Sequence, residues 1–264
     1  MLAGAVAGCL GALLGIGGGV FLVPFLNLVL GLEFKTASAI SLVTVIATSS
    51  VTSATRGRLH LVNLRLGMVL EIFTTSGGLV GLLLFHASND PTLQRIFAGV
   101  MAAIAMVMMS RVNHRNVVAS GQVDVGLLGG HYDDEEIGGE VAYRVKRLPV
   151  AFGVSFLAGI VSMLGIGGGV LKVPVLNAWC GVPMRVAAAT SALMIAATAV
   201  VGSINYYVGG YIVPHLAAAA VLGVLAGSRV GFALAARTRV RGLKILMAAI
   251  LVAVAVIYAT GPGR

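Results

Sequence analysis

Apolar residues in this chain fall in long unbroken blocks, not in the alternating or three-and-four spacing of half-buried elements. The blocks run over 2–31, 36–55, 62–85 and 93–110. After a polar stretch from Arg111 to about Arg147 they resume over 149–181, 186–208, 212–236 and 242–260. A hydrocarbon core about 30 Å thick takes roughly 20 helical residues at about 1.5 Å each. The pattern therefore predicts an all-α polytopic membrane protein. It divides the chain into a first transmembrane repeat (1–110), a polar linker (111–148) and a second transmembrane repeat (149–264). The opening MLAGAVAGCLGALLG has no basic n-region and no small-residue cleavage site, so it reads as a membrane segment and not as a signal peptide.

The order of the blocks repeats, and so do residues. A shift of 150 aligns Leu14–Gly31 with Leu164–Gly181 without a gap, and 12 of those 18 positions are identical. The register carries on through Ser41 with Ser191, Thr48 with Thr198, Ser53 with Ser203, Gly77 with Gly227 and Ala98 with Ala248. Two copies of one unit are the sequence mark of many transporter folds.

Charge decides which way the copies face. Only 10% of the 264 residues are charged, and the mean hydropathy is +1.01. Such a composition cannot coat a soluble protein, where about 25% charge is usual. The net charge of +9 is carried on few residues between apolar blocks, which favours an anionic bilayer surface over nucleic acid as partner. If each copy crosses an even number of times, basic residues divide almost evenly between the two sides. If the first block of each copy breaks and returns, the second copy is inverted. Lys35, Arg95 and Arg264 then face 13 basic residues on the other side, among them Arg56, Arg58, Arg111, Arg115, Arg144 and Arg239. Lys/Arg concentrate on the cytoplasmic side. The expected arrangement is two inverted repeats in the cell membrane, with termini outside and the linker inside. Each repeat holds one Gly-broken segment, re-entrant or two half-helices, plus three transmembrane helices.

The predicted breaks are Leu14–Val20 and Leu164–Val170, both reading LGIGGGV. Glycine costs about 1 kcal/mol relative to alanine inside a helix, so four in five positions interrupt it. Unwound backbone at membrane depth is tolerated where it is buried or lines a cavity. A helix restarting after the glycines turns N–H groups and its positive dipole end toward that cavity, which suits an anion. Gly17, Gly18, Gly19, Gly167, Gly168 and Gly169 are thus candidate substrate-binding positions. Pro24 and Pro174 fit an early helical turn, and Asn27 and Asn177, one turn later, are candidate hydrogen-bonding groups. The competing reading is that the glycines only permit close helix packing. No third fingerprint glycine, Walker A lysine, HExxH or nucleophile elbow is present, so no dinucleotide site and no enzyme chemistry is expected.

Three charges lie within the apolar blocks: Glu71, Lys172 and Arg229. Their mates at the 150-residue offset are Val221, Leu22 and Leu79, so the scaffold repeats while its charges do not. Intramembrane charges are costly and face a bundle interior, where they pair or work. Lys172 and Arg229 are candidates to hold an anion, and Glu71 is a candidate proton carrier. The alternatives are a structural Glu71–Lys172 pair and a snorkelling Arg229. Hydroxyls crowd 36–55, from Ser38 through Thr55, and Ser41, Thr44 and Thr48 share one helix face. Ser41 and Ser191 are candidate substrate ligands, although serine and threonine also join helices.

The linker run His131-Tyr132-Asp133-Asp134-Glu135-Glu136 lacks helical ligand spacing, so a solvated loop is expected there and no metal site. Cys9 and Cys180 show no CxxC spacing and read as buried thiols.

The doubled GIGGGVxxVPxLN motif at 15–27 and 165–177, in two halves joined by a polar linker, resembles the sulfite exporter TauE/SafE family, the TSUP permeases. The resemblance covers essentially the whole chain. It implies a secondary transporter of small sulfur-containing or organic anions such as sulfite, thiosulfate, sulfoacetate or other sulfonates, with proton coupling. It implies no cofactor and leaves the substrate, flux direction and oligomeric state open. The other function class in play is a channel-like anion pathway using the same half-helices without an alternating gate.

Overall fold

The structure, a computed structural model, describes residues 1–14, 17–54, 61–110, 118–119, 125–134, 139–237 and 240–260. Gly15, Thr55, Arg56, Arg58, Arg111, Arg115, Glu135, Glu136, Arg239 and Arg264 lie outside the described residues.

The first half comprises α1 (Leu2–Leu14), α2 (Gly19–Pro24, prolonged by a π-turn, Phe25–Val29), α3 (Phe34–Ala54), α4 (Leu64–Ala87) and α5 (Asp90–Ser110). Three short strands follow, β1 (Val118–Ala119), β2 (Gly130–Asp134) and β3 (Gly139–Tyr143). The second half comprises α6 (Leu148–Val161, prolonged by a π-turn, Ser162–Ile166), α7 (Gly169–Ala178), α8 (Met184–Val208), α9 (Pro214–Arg237) and α10 (Val240–Thr260). Among the described residues, five helical stretches are long and apolar enough to cross a membrane: Phe34–Val51, Leu64–Ala87, Leu148–Ile166, Met184–Val208 and Pro214–Gly231. This is a multi-pass membrane protein.

Helix packing exchanges partners between the halves. α1 lies along α9 and α6 along α4, while α3 packs on α8 and α5 on α10. Glycines allow the first two contacts. A Cβ on Gly81 would meet the Ile160 backbone at 2.6–3.0 Å, and one on Gly4 would meet the Ala220 carbonyl at 2.7 Å. Dispersion and close backbone approach hold helices together where lipid supplies no hydrophobic drive.

Contacts along these pairs fix their relative directions. Asn63 meets Thr190, Glu71 meets Thr198 and His86 meets Asn205, so α4 and α8 run the same way. α3 runs against both: Lys35 at its start sits over the rings of Phe85, late in α4, and Tyr211, just beyond α8, at 5.3 and 5.9 Å. Leu42 of α3 correspondingly touches Gly202 of α8.

The linker departs from the expected solvated loop. Its described strands form an antiparallel sheet, order β1-β3-β2, with Tyr132, Val141 and Tyr143 buried. The run Val141-Ala142-Tyr143 is buried on both faces of β3, which gives this polar stretch a small core of its own. Asn63, the N-cap of α4, accepts from Leu66 N–H (3.0 Å) and donates to the Leu128 carbonyl and the Tyr143 hydroxyl (both 2.9 Å). Burial pushes the Tyr143 hydroxyl above its ordinary pKa, opposed by the bond from Asn63. At the far side of the sheet, Lys146 N–H bonds the Cys180 carbonyl at 2.8 Å, joining the linker to the loop after α7.

Candidate functional site

Both helical interruptions are built from glycines in the left-handed region. Gly17 (φ 84°) and Gly18 (φ 75°) lie before α2; Gly165 (φ 83°), Gly167 (φ 79°) and Gly168 (φ 66°) lie before α7. A side chain at these angles is strained, and at Gly165 a Cβ would also meet Ser38 Cα at 2.7 Å. The two interruptions meet at the α3–α8 crossing, where Val45 and Ile195 each lie against both Gly17 and Gly167. Those two residues are mates at the 150-residue offset.

Hydroxyls of α3 serve the carbonyls released by the interruptions. Ser38 donates to Leu164 (3.1 Å), Ser41 to Gly165 (2.7 Å) and Thr48 to Gly17 (3.0 Å). Tyr206 of α8 donates to the Met163 carbonyl. This is the accounting that buried backbone demands. At the start of α7 the N–H groups of Gly169, Leu171 and Lys172 are taken by the Gly167 and Gly168 carbonyls at 2.7–3.3 Å. Anion chemistry at this end therefore falls chiefly to a side chain.

That side chain is Lys172. It is fully buried on the first turn of α7, its Nζ is 3.7 Å from Glu71 Oε2, and Nζ makes no hydrogen bond among the described residues. The other carboxylate oxygen of Glu71 accepts from Thr198 at 2.7 Å and from Thr75 at 3.5 Å. Three elements thus converge: α4 brings a carboxylate, α7 an ammonium and α8 a hydroxyl. Two turns before Thr198 on α8, Ser191 Oγ is also buried without a hydrogen bond.

The remaining candidates lie elsewhere. Asn27 donates to Leu32 O (2.8 Å) and Asn177 to Val182 O (3.0 Å), each clasping the loop after its own short helix. Asn27 Oδ1 also accepts from Tyr258 at 3.2 Å. Arg229 is exposed on α9 and is not brought to Lys172. Gly19 is pressed against the Gly165 carbonyl and Ser41. Sequence reasoning did not single out Thr198 as the partner of Glu71. Its signal was available, since Thr198 is the mate of Thr48 and the mate of Glu71 is apolar. Among the described residues no group of three or more His, Cys, Asp or Glu side chains is placed to hold a metal ion.

A multi-pass helical core with a buried ion pair at an interrupted helix suits a membrane transporter. The comparisons carry the same meaning. The chain belongs to the sulfite exporter TauE/SafE family, whose description it matches over residues 1–258. It is 26% identical over 257 residues to the probable membrane transporter protein YunE of Bacillus subtilis (strain 168), covering 94% of this chain and 92% of that protein. No solved structure matches. The chain is a transporter and not an enzyme.

Proposed function

We propose that this protein is a secondary active, proton-coupled carrier of small sulfur-containing or organic anions, of the sulfite, thiosulfate and sulfonate class. Its two halves are inverted repeats in the cell membrane, with re-entrant broken segments, termini outside and the linker inside. Several contacts support the inversion. α3 and α8 are mates yet run oppositely, while α1 follows α9 and α6 follows α4 through Gly8–Val224 and Gly77–Phe156 neighbours. Gly18 folding back on Ala7, and Gly168 on Ala158, supports the re-entrant form.

The observation that carries the mechanism is the buried Lys172 ammonium, paired with a carboxylate at 3.7 Å. Burying a net charge is costly, so the pair must stay neutral in sum. When Glu71 takes a proton from the aqueous side, Lys172 loses its counter-charge and accepts an anion in its place. Site charge is zero before and after, which couples one proton to one monovalent anion. Ser191 completes the anion cradle near the midplane, and the turn at Gly167–Gly169 shapes its wall. Ser41, Asn27 and Asn177 hold the surrounding scaffold.

The test is uptake into proteoliposomes. Sulfite, thiosulfate, sulfoacetate, taurine and simple carboxylates are first screened by thermal shift in detergent, and an anion that stabilises the protein is then driven by an imposed pH gradient. Accumulation above equilibrium excludes a channel. Glu71→Gln is expected to abolish pH-driven accumulation while leaving exchange of bound anion. Unchanged pH dependence in Glu71→Gln, or undiminished stabilisation by anions in Lys172→Ala, refutes the proposal.

A further inference from the structure

The internal repeat supplies a control for the hydroxyls of the site, and two depart from it: Ser191 Oγ lacks the kind of bond its mate Ser41 makes to Gly165, and Thr198 differs from Thr48. In the first half, Thr48 Oγ1 reaches the carbonyl of Gly17 at 3.0 Å, besides those of Thr44 and Val45 in its own helix at 2.8 and 3.1 Å. Its mate Thr198 donates to Glu71 Oε1 at 2.7 Å and to its own helix at Met194 O. The apolar neighbours beside the two threonines are matched. Val45, one turn before Thr48, lies against Gly17, and Ile195, one turn before Thr198, lies against Gly167. The Gly167 carbonyl, which the repeat would offer to Thr198, instead accepts from Gly169 N–H at 2.7 Å. Glu71 has no mate in the other half, where Val221 stands. At the two threonines the breaks thus differ by a hydroxyl drawn to a carboxylate and a carbonyl drawn to the next turn.

We propose that Thr198 is a two-position hydroxyl that transmits the protonation state of Glu71 to the second glycine break, and so to Lys172. With Glu71 ionised, the hydroxyl is held by a charge-assisted bond, roughly twice as strong as a neutral one. With Glu71 protonated that advantage disappears, and Thr198 turns to the Gly167 carbonyl as Thr48 does to Gly17. Gly169 N–H is released, and the first turn of α7, which carries Lys172, re-forms its hydrogen bonds. Thr198 is a positioning residue here and touches no substrate. The charged group facing Glu71 is Lys172 of α7. Of the helices packed on α4, α6 carries no titratable residue, and those of α8 lie near its ends at Arg185, Tyr206 and Tyr207; on α4 itself Arg65 and His86 likewise lie at the two ends. A pH response at this break is therefore a response of Glu71 and Lys172.

The inference rests on the reading of Glu71 as the proton carrier, and one experiment separates the two. Hydrogen exchange is followed by mass spectrometry on peptides spanning residues 163–175, in detergent between pH 5 and 8, normalised to the intrinsic exchange rate. No substrate is needed. In the wild type, protection of this segment is expected to differ about tenfold between the two ends of the range, the ratio one hydrogen bond is worth. Glu71→Gln is expected to remove the pH dependence. Thr198→Val removes it as well with Glu71 intact, Thr198→Ser restores it, and Thr48→Val leaves it unchanged. Thr198→Ala serves as a second, smaller variant should valine prevent folding. A pH response that survives Glu71→Gln overturns the reading of Glu71. A response lost in Glu71→Gln but kept in Thr198→Val and Thr198→Ala leaves that reading standing and overturns the role of Thr198.

Discussion

Replacing Lys172 by methionine isolates the energetics on which the proposed coupling depends. Methionine keeps most of the volume on the first turn of α7, so packing changes little and the ammonium alone is lost. At 3.7 Å the attraction to Glu71 is about 4 kcal/mol for an effective dielectric constant of about 20. Breaking a buried pair on one side costs about 3–5 kcal/mol, because the other charge is left uncompensated. The carboxyl has an escape. Taking a proton at pH 7 from an ordinary carboxyl value near 4.3 costs about 3.7 kcal/mol, at about 1.36 kcal/mol per unit. The loss in Lys172→Met is thus capped near 3–4 kcal/mol at neutral pH. In that variant the folded state holds a proton the unfolded state lacks above about pH 4.3, so stability falls as pH rises, by about 1.4 kcal/mol per unit. The assay is thermal unfolding of purified protein in detergent at pH 5, 6, 7 and 8, for wild type, Lys172→Met, and Lys172→Met with Glu71→Gln. The single variant is expected to approach wild type at pH 5 and to fall away toward pH 8. The double variant is expected to recover most of the stability and lose the slope. A penalty equal at pH 5 and pH 8, or no recovery with Glu71→Gln, refutes the claim that Glu71 and Lys172 neutralise each other.

Other outcomes follow from particular contacts. Gly165→Ala places a Cβ at φ 83°, 2.7 Å from Ser38 Cα, and is expected to cost at least about 2–3 kcal/mol. Gly153→Ala, with nothing within 4 Å, is expected to be neutral or to stabilise α6 by up to about 1 kcal/mol, and thermal midpoints compare the two. Asn63→Ala removes the α4 cap and the ties to Leu128 and Tyr143. It is expected to cost about 1–2 kcal/mol and to speed proteolytic cleavage between residues 125 and 145, read by mass spectrometry. Arg229→Gln, on the exposed face of α9, is expected to leave the anion thermal shift as in the wild type. Asn177→Ala is expected to lower stability by about 1 kcal/mol, the worth of one hydrogen bond, with anion affinity unchanged.

Much of the architecture was legible because bilayer proteins must satisfy their backbone within helices. Apolar blocks therefore mark helices, and a glycine run inside one marks a break. The offset of 150 exposed the repeat, and the absence of mates for Glu71, Lys172 and Arg229 exposed the candidate charges. Legibility stopped where side-chain direction mattered. Asn27 and Asn177 share a motif position that reads as ligand-like, yet each amide closes a loop five residues on. Arg229 and Lys172 are both cations in apolar helices, but one faces out and the other is sealed. A one-dimensional pattern counts charges and does not say which helix face meets a partner. The linker composition reads as polar, and the buried run of β3 acquires meaning only against the sheet partners and Asn63.

The chain by itself determined the solvent it lives in and the helical, multi-pass character of its fold. These follow from local hydropathy and from the backbone demands of single residues. Tertiary structure decided that Glu71, Lys172 and Thr198, 26 to 127 positions apart, meet at one point, and that the hydroxyls of α3 serve the broken backbone. Those facts depend on how α4, α7 and α8 cross, which close glycine-mediated packing sets and no local propensity encodes.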